Sequence, residues 1–289
     1  MKSHNGFTLI ELAIVLVIVT ILLGGLAVPL AAQIEARRIG ETRKAMEVIH
    51  DTLIGYAMSH TVVSSCQCEY KPDTTFNLPD STCPQFHCPT NRATPLTQPI
   101  TRHFLPCPDT NNNGLEELRD TTSGACPAVR GGLPWITLGV KGDDAWGNRY
   151  TYAVSPRFSN NSNNPNNPST PSTPPTPGGF TSNPATPGTL NIFRNAGCLL
   201  PAVTSNVPVV VVSHGPQGRG ALNMNGGTPL PPTDVPDDER QNLNVADLSL
   251  LCSNEKFVSR NPSANFDDLL IWLSSNELFS RVCPSGGCP

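Results

Sequence analysis

Hydrophobic and polar positions divide the chain into unequal parts. Leu12 to Ala32 is a run of 21 residues dominated by Leu, Ile, Val and Ala, with no charged side chain between Glu11 and Glu35. About 20 such residues suffice to cross a bilayer as a helix. Beyond the run, Ile39, Thr42, Met46, Ile49, Leu53 and Tyr56 recur at spacings of three and four, the period of one helix face, while Arg38, Arg43, Glu47 and Asp51 mostly lie off it. The pattern predicts one helix from Phe7 to about Ser59, roughly 80 Å long. Gly24-Gly25 and Pro29, which has no N–H for the Gly25 carbonyl, mark a weak point in it. After Ser59 the period is lost in a Cys- and Pro-rich loop running to about residue 105. Alternation returns at Tyr150, Tyr152 and Val154, after a Gly147-Asn148 turn signal. The β-branched run Val207 to Gly215 reads as a buried strand. Phe266 to Leu273 reads as a last strand, with a short terminal helix starting at Ser275. Residues 159–189 are almost all Asn, Pro, Ser, Thr and Gly. Such a segment buries too little surface to offset its ordering entropy, so a disordered insertion is expected, its Ser/Thr/Pro tract suited to O-glycosylation.

The first site residue follows from the apolar run. A carboxylate at the edge of hydrocarbon costs a few kcal/mol on insertion scales, so Glu11 requires a partner. Removal of residues 1–6 after Gly6 would make the α-amine of Phe7 a cation able to neutralise Glu11 of a neighbouring copy. A secretory signal peptide is patterned differently, with a shorter apolar core ahead of its cleavage site. Gly6-Phe7-Thr8-Leu9-Ile10-Glu11-Leu12 resembles the processing and assembly motif of type IV pilins and type II secretion pseudopilins. The resemblance implies that a prepilin peptidase cuts between Gly6 and Phe7 and N-methylates Phe7. It also implies that Glu11 sets subunit register by pairing with a neighbour's N-terminal amine, and that the region around Pro29 unwinds locally in a filament. The plain alternative is a single-pass anchor with a chance Glu.

Composition adds the setting. The net charge is −4, with no basic block of the kind that marks a nucleic-acid footprint, so no nucleic acid is expected as a partner. Thirty Pro and ten Cys describe a loop-rich exported head. Cys66, Cys68, Cys83, Cys88, Cys107, Cys126, Cys198, Cys252, Cys283 and Cys288 read as up to five disulfides in an oxidising periplasm, with connectivity open. Zinc on Cys66, Cys68, Cys83, His87 and Cys88 competes with that reading, but Cys-x-Cys fits zinc spacing poorly.

Asp109, Asn111, Asn113 and Asp120 fall at the first, third, fifth and twelfth places of a loop with Gly114 at the sixth, the spacing by which an oxygen-lined loop holds calcium. Two expected acids are Asn and the closing Glu is Asp; a polar turn closed by Cys107 and Cys126 explains the same letters without metal. Ser213-His214 invites a hydrolase reading, but adjacent residues of a strand point to opposite sides and no nucleophile-elbow pattern surrounds them. Asp144-x-Trp146-Gly147-Asn148-x-Tyr150-x-Tyr152 looks like the Trp-Gly turn and strand of the major pseudopilin head, with Trp146 and the two Tyr expected in the core. Ser213-His214-Gly215 followed by Asp267-Asp268 and an Ile-Trp strand resembles that head's loop and closing strand. The resemblance implies a calcium ordering the region, with Asp267 or Asp268 as ligands; Pro216-Gln217 stands where an Asp-Gly is expected.

Together these features describe an α+β, pilin-like protein. The long N-terminal helix, with a membrane-spanning half and a head-packing half, docks on an antiparallel sheet with disulfide-stapled loops. Residues 1–6 are the leader, 7–59 the transmembrane and spine helix, and 60–289 the Cys-rich head. The expected function is structural, a minor pilin or pseudopilin and not an enzyme. Its expected partners are other subunits, the prepilin peptidase and the inner-membrane assembly machinery. The expected location is a single-pass place in the bacterial inner membrane with a periplasmic head, then a periplasmic or extracellular filament. No cofactor is required; a structural calcium is the one candidate. A tip adhesion module and a membrane-anchored periplasmic enzyme are the other classes considered.

Overall fold

The computed structural model describes residues 8–64, 79–80, 83–87, 100–120, 124–161, 188–224, 235–243, 252–253, 255–263 and 265–283, the side chains of 23–29, 62–64, 79–80, 83–87 and 100–102 excepted. Gly6, Phe7, Cys66, Cys68, Cys88, Cys288, the side chains of Cys83 and His87, and 162–187 of the expected insertion lie outside this set.

In chain order the elements are α1 (Leu9–Ser59), β1 (Thr61–Ser64), β2 (Pro79–Asp80), β3 (Cys83–His87), β4 (Ile100–His103), β5 (Arg130–Gly132), α2 (Trp135–Leu138), β6 (Thr151–Val154), α3 (Pro156–Ser159), β7 (Leu190–Phe193), β8 (Thr204–Val207), β9 (Val209–Ser213), α4 (Asp237–Arg240), β10 (Lys256–Val258), β11 (Leu269–Leu273) and α5 (Ser275–Val282). The centre is a four-stranded antiparallel sheet in the order β11-β9-β6-β5. β9 is interior and buried along its whole length, which is why four of its five residues are Val. Its side chains alternate between two cores. Val209 and Val211 join Tyr152, Val154 and Leu273 against the helix residues Met46, Ile49, Leu53 and Tyr56. Val210 and Val212 face the other way, onto Leu190, Ile192, Val207 and Phe257 of a three-stranded sheet ordered β10-β7-β8. The head is therefore layered as helix, sheet, sheet.

The buried face of α1 follows the three-and-four spacing: Thr42, Met46, Ile49 and Leu53 are each 1% exposed, while Arg38, Arg43, Glu47 and Asp51 are exposed. Helical backbone runs unbroken through Gly24, Gly25 and Pro29 to Ser59. The membrane-spanning half of the expected pilin-like class is corrected, and the single-pass inner-membrane location with it. Among the described residues no helix is long and apolar enough to cross a membrane. The apolar side chains described in α1 form one stretch, 9–22, with a short continuation from Leu30, and neither piece reaches the roughly 20 residues a span requires.

Three smaller differences have local causes. The Val207–Gly215 run is not one strand: Pro208, with no N–H to give a ladder, separates β8 from β9, which join different sheets. The sheet system is not wholly antiparallel, because β10 pairs parallel with β7. Tyr150 and Tyr152 are fully buried as expected, but Trp146 lies half-buried outside the core, its indole N–H 3.4 Å from the Glu35 carboxylate on α1.

Cys107–Cys126 and Cys198–Cys252 are disulfides, and Cys283 is disulfide-bonded as well. The first closes a 19-residue separation around the 109–120 loop. Replacing Cys107 and Cys126 together by Ser is expected to cost about 3 kcal/mol by the loop-entropy argument. Urea denaturation of the double variant checks this; an unchanged midpoint would mean that the loop holds itself.

Candidate functional site

Three regions hold the candidate residues, and the first is the start of α1. Thr8 caps the helix: its hydroxyl accepts the Glu11 N–H at 3.3 Å, while Glu11 Oε2 accepts the Thr8 N–H at 2.9 Å. This reciprocal capping box satisfies two N–H groups that a helix start would otherwise leave unpaired. The Thr8-x-x-Glu11 signature is in the sequence, and a reading centred on the charge of Glu11 passes over it. From Leu9 to Leu22 the apolar side chains stay exposed, Leu9 at 89% and Ile21 at 67%.

The second region is where β9 leaves the central sheet. Gly215 takes a positive φ of 59°, and a Cβ there would lie 2.4 Å from the Asp267 carbonyl oxygen, so the turn requires glycine. On either side of this turn the polar side chains are buried and interlocked. Asp144 Oδ1 accepts the N–H groups of Trp146 and Asn148, both at 2.9 Å, which builds the turn before β6. Its Oδ2 accepts the Ser213 hydroxyl at 2.7 Å. Burial pushes the Asp144 carboxyl above its ordinary range, against these hydrogen bonds. His214 Nε2 is 2.8 Å from the Thr151 hydroxyl, and its Nδ1 is 3.6 Å from Asp268 Oδ1. Hydroxyl, imidazole and carboxylate thus stand in line, but Thr151 and His214 are 0% exposed and Asp268 3%, so a substrate has no approach to them. Ser213 and His214 bond separately, as their opposite directions on the strand require.

Asp267 and Asp268 follow an isolated bridge between Ser263 and Phe266 and precede β11. Glu239, from α4, meets them. Its Oε1 accepts the Asp267 N–H at 3.1 Å, its Oε2 lies 3.3 Å from Arg219, and one carboxylate oxygen from each acid can be chosen so that all lie within 4.8 Å of one another. Asn242 donates to Asp268 Oδ2 at 2.8 Å and the Gln217 N–H to Asp267 Oδ2 at 2.9 Å. Asp267 Oδ1 and Asp268 Oδ1 are buried without a hydrogen bond. Desolvation raises Glu239 well above the usual carboxylate range, with neighbouring Asp267 and Asp268 adding to it. Desolvation also raises Asp268, against the nearby His214 imidazole and the hydrogen bond from Asn242. A buried group of three carboxylates with one guanidinium beside it and two oxygens lacking donors fits a hard, oxygen-seeking cation. Glu239, missing from the sequence reading, lies 28 residues before Asp267 in a Pro/Asp-rich stretch with no metal spacing.

The other candidate calcium loop is built differently. Asp109 is buried at 2% exposure and spends its carboxylate on backbone: Oδ1 accepts the N–H groups of Asn111 and Asn113, and Oδ2 that of Gly114 at 2.7 Å. The side chains of Asn111 and Asn113 accept the N–H groups of Asn113 and Leu115. Asp120 bonds elsewhere through its backbone, its carbonyl accepting the Gly124 N–H at 2.8 Å and its N–H donating to the Ala125 carbonyl at 2.9 Å. Glu116, two residues beyond Gly114, turns inward to take the Tyr56 hydroxyl of α1 at 2.8 Å and an ion pair from Arg119.

Comparison with known proteins bears on the first region. The family described as the prokaryotic N-terminal methylation motif matches residues 1–27. No curated protein and no solved structure matches the chain. The N-terminal region therefore carries a prepilin-type processing motif, of the kind found in prepilin- and pseudopilin-like proteins.

Proposed function

We propose that the chain is a minor subunit of a type IV pilus or a type II secretion filament. In this reading prepilin peptidase cuts after Gly6 and methylates Phe7, and the subunit joins its neighbours through the N-terminal half of α1. The observation that carries it is the coincidence of the methylation motif at 1–27 with a helix whose apolar side chains from Leu9 to Leu22 remain exposed. Exposed apolar area of this extent is stabilised by burial at about 25 cal/mol per Å², and neighbouring copies of the same helix offer a matching surface. Glu11 serves there as the register group, able to exchange Thr8 for a neighbour's terminal amine. As a second proposal, Glu239, Asp267 and Asp268 hold a structural calcium that locks the turn after β9 to the start of β11.

Filaments sheared from producing cells are expected to contain this protein, and intact mass is expected to begin at a methylated Phe7. Processed protein in the cells with none in the sheared fraction would favour the short secretion filament over the surface pilus. An uncut N-terminus in both fractions would overturn the proposal.

A further inference from the structure

Topology gathers a set of side chains at one end of the β10-β7-β8 sheet that the filament reading does not use. β7 and β10 run parallel, so both deliver their C-terminal ends to the same edge, Arg194 from one and Ser259, Arg260 and Asn261 from the other. β8 runs antiparallel to β7, so its N-terminal neighbour Val203 reaches that edge too. These residues line a cavity of about 470 Å³.

The walls are held by the backbone. The Val203 N–H donates to the Ile192 carbonyl at 2.7 Å and the Ser259 N–H to the Phe193 carbonyl at 2.9 Å, one on each side of β7. The loop between β7 and β8 is tied down at its base by Cys198–Cys252 and by the Ala196 N–H donating to Asp238 Oδ1 at 2.8 Å. Arg260 is oriented from three sides. It stacks on Phe266, its NH1 donates to the Ser263 hydroxyl at 3.1 Å, and its Nε lies 2.7 Å from Asp238 Oδ2. Arg194 differs: it is exposed, and its guanidinium has no ion pair or hydrogen bond with any described residue. Asp238 is already engaged by Arg260 and the Ala196 N–H, so the charge of Arg194 is not cancelled from within the pocket.

A rigid concave site with one engaged and one free guanidinium, a hydroxyl, an amide and an apolar wall at Val203 has the donor-rich lining that orients a small anion. We propose that this pocket binds a small polar ligand through an oxyanion group, with Arg194 as the anchoring residue. A carboxylate and a phosphate share the paired oxygens that a guanidinium fork grips. Ser259 and Asn261 suit the hydroxyl groups of an acidic sugar, and Val203 the apolar face of its ring. The proposal does not rest on the filament reading and stands or falls separately from it.

The test is calorimetric titration of the full-length chain with D-galacturonate, with its neutral parent D-galactose, and with inorganic phosphate. Galacturonate, phosphate or both are expected to bind, and the tighter of the two identifies the source of the oxyanion. Galactose is expected to bind at least tenfold more weakly than galacturonate, and raising salt from 50 to 500 mM to weaken the anions severalfold. Arg194→Ala, a surface change, is expected to reduce anion affinity at least tenfold. Arg194→Lys is expected to retain part of it, since the charge remains and the fork is lost. Failure of both anions to bind, equal binding of galactose and galacturonate, or unchanged affinity in Arg194→Ala would each overturn the proposal.

Discussion

Glu11→Ala is expected to abolish incorporation into filaments, by more than tenfold in the sheared fraction, while leaving the head folded. Among the described residues the side chain bonds only to Thr8 at the helix start and belongs to neither core, so its loss removes no packing from them. It does two jobs in the proposed reading, and these separate experimentally. As part of the capping box it holds the Thr8 N–H, and loss of a cap costs about 1 kcal/mol of helix stability. As the register group it supplies a negative charge to a neighbour's amine, a contact that forms only on assembly. Thr8→Ala removes the cap hydroxyl and keeps the charge, so incorporation is expected to stay within about twofold of the native chain. Glu11→Gln keeps most of the cap's acceptor geometry and removes the charge, so it is expected to fail like Glu11→Ala. Equal losses in Thr8→Ala and Glu11→Gln would mean that helix capping accounts for the whole effect. Normal incorporation of Glu11→Ala would sink the register argument. Thermal unfolding of the head should be unchanged in all three variants.

What the sequence made legible follows from periodicity. A helix face repeats on a short period, so Thr42, Met46, Ile49 and Leu53 could be assigned to the core without knowing what they touch. A strand buried on both faces loses its alternation and becomes a β-branched run, and β9 was readable for that reason. The sheet partner of β9 on the far side was not: β7 and β10 are 4 and 3 residues long, too short for any period to emerge. Arg130 illustrates the loss. It is 2% exposed, lies over the Phe257 ring and donates to the carbonyls of Gln241 and Lys256, clamping β5 to β10 across more than a hundred residues of chain. Nothing local to Arg-Gly-Gly announces such a role, and its guanidinium is lowered to about 9 by desolvation only because the fold surrounds it. The candidate sites divide the same way. Glu11 and Thr8 are neighbours in sequence and speak for themselves. Ser213 meets Asp144, and His214, Thr151, Asp268 and Glu239 form a network, only after β6, β9, α4 and the turns beside them have placed them.

That network yields the last expected result. Calcium should raise the unfolding temperature of the chain, and the gain should grow as pH rises from 5 to 8. Without the ion, Glu239 and Asp268 hold their protons more tightly folded than unfolded, because burial disfavours their charged forms. The unfolded chain therefore releases protons first as pH climbs past the ordinary carboxylate range near 4, and the stability these groups give at low pH is lost as pH rises through their folded values. Asp144, raised by burial on the other side of the turn, slopes the same way without calcium entering. Arg219 beside Glu239 moderates the effect and does not reverse it. A bound cation favours the ionised carboxylates, so the loaded protein should lose stability on acidification, the opposite slope. With free calcium about a thousandfold above its dissociation constant the gain is about 4 kcal/mol. Melting in calcium and in EDTA at pH 5, 6.5 and 8 reads both slopes. Asp268→Asn and Glu239→Gln should each remove most of the calcium gain at pH 8 and flatten the slope in EDTA. Identical melting in calcium and EDTA at pH 8 would show that the buried carboxylates are reconciled by protonation alone.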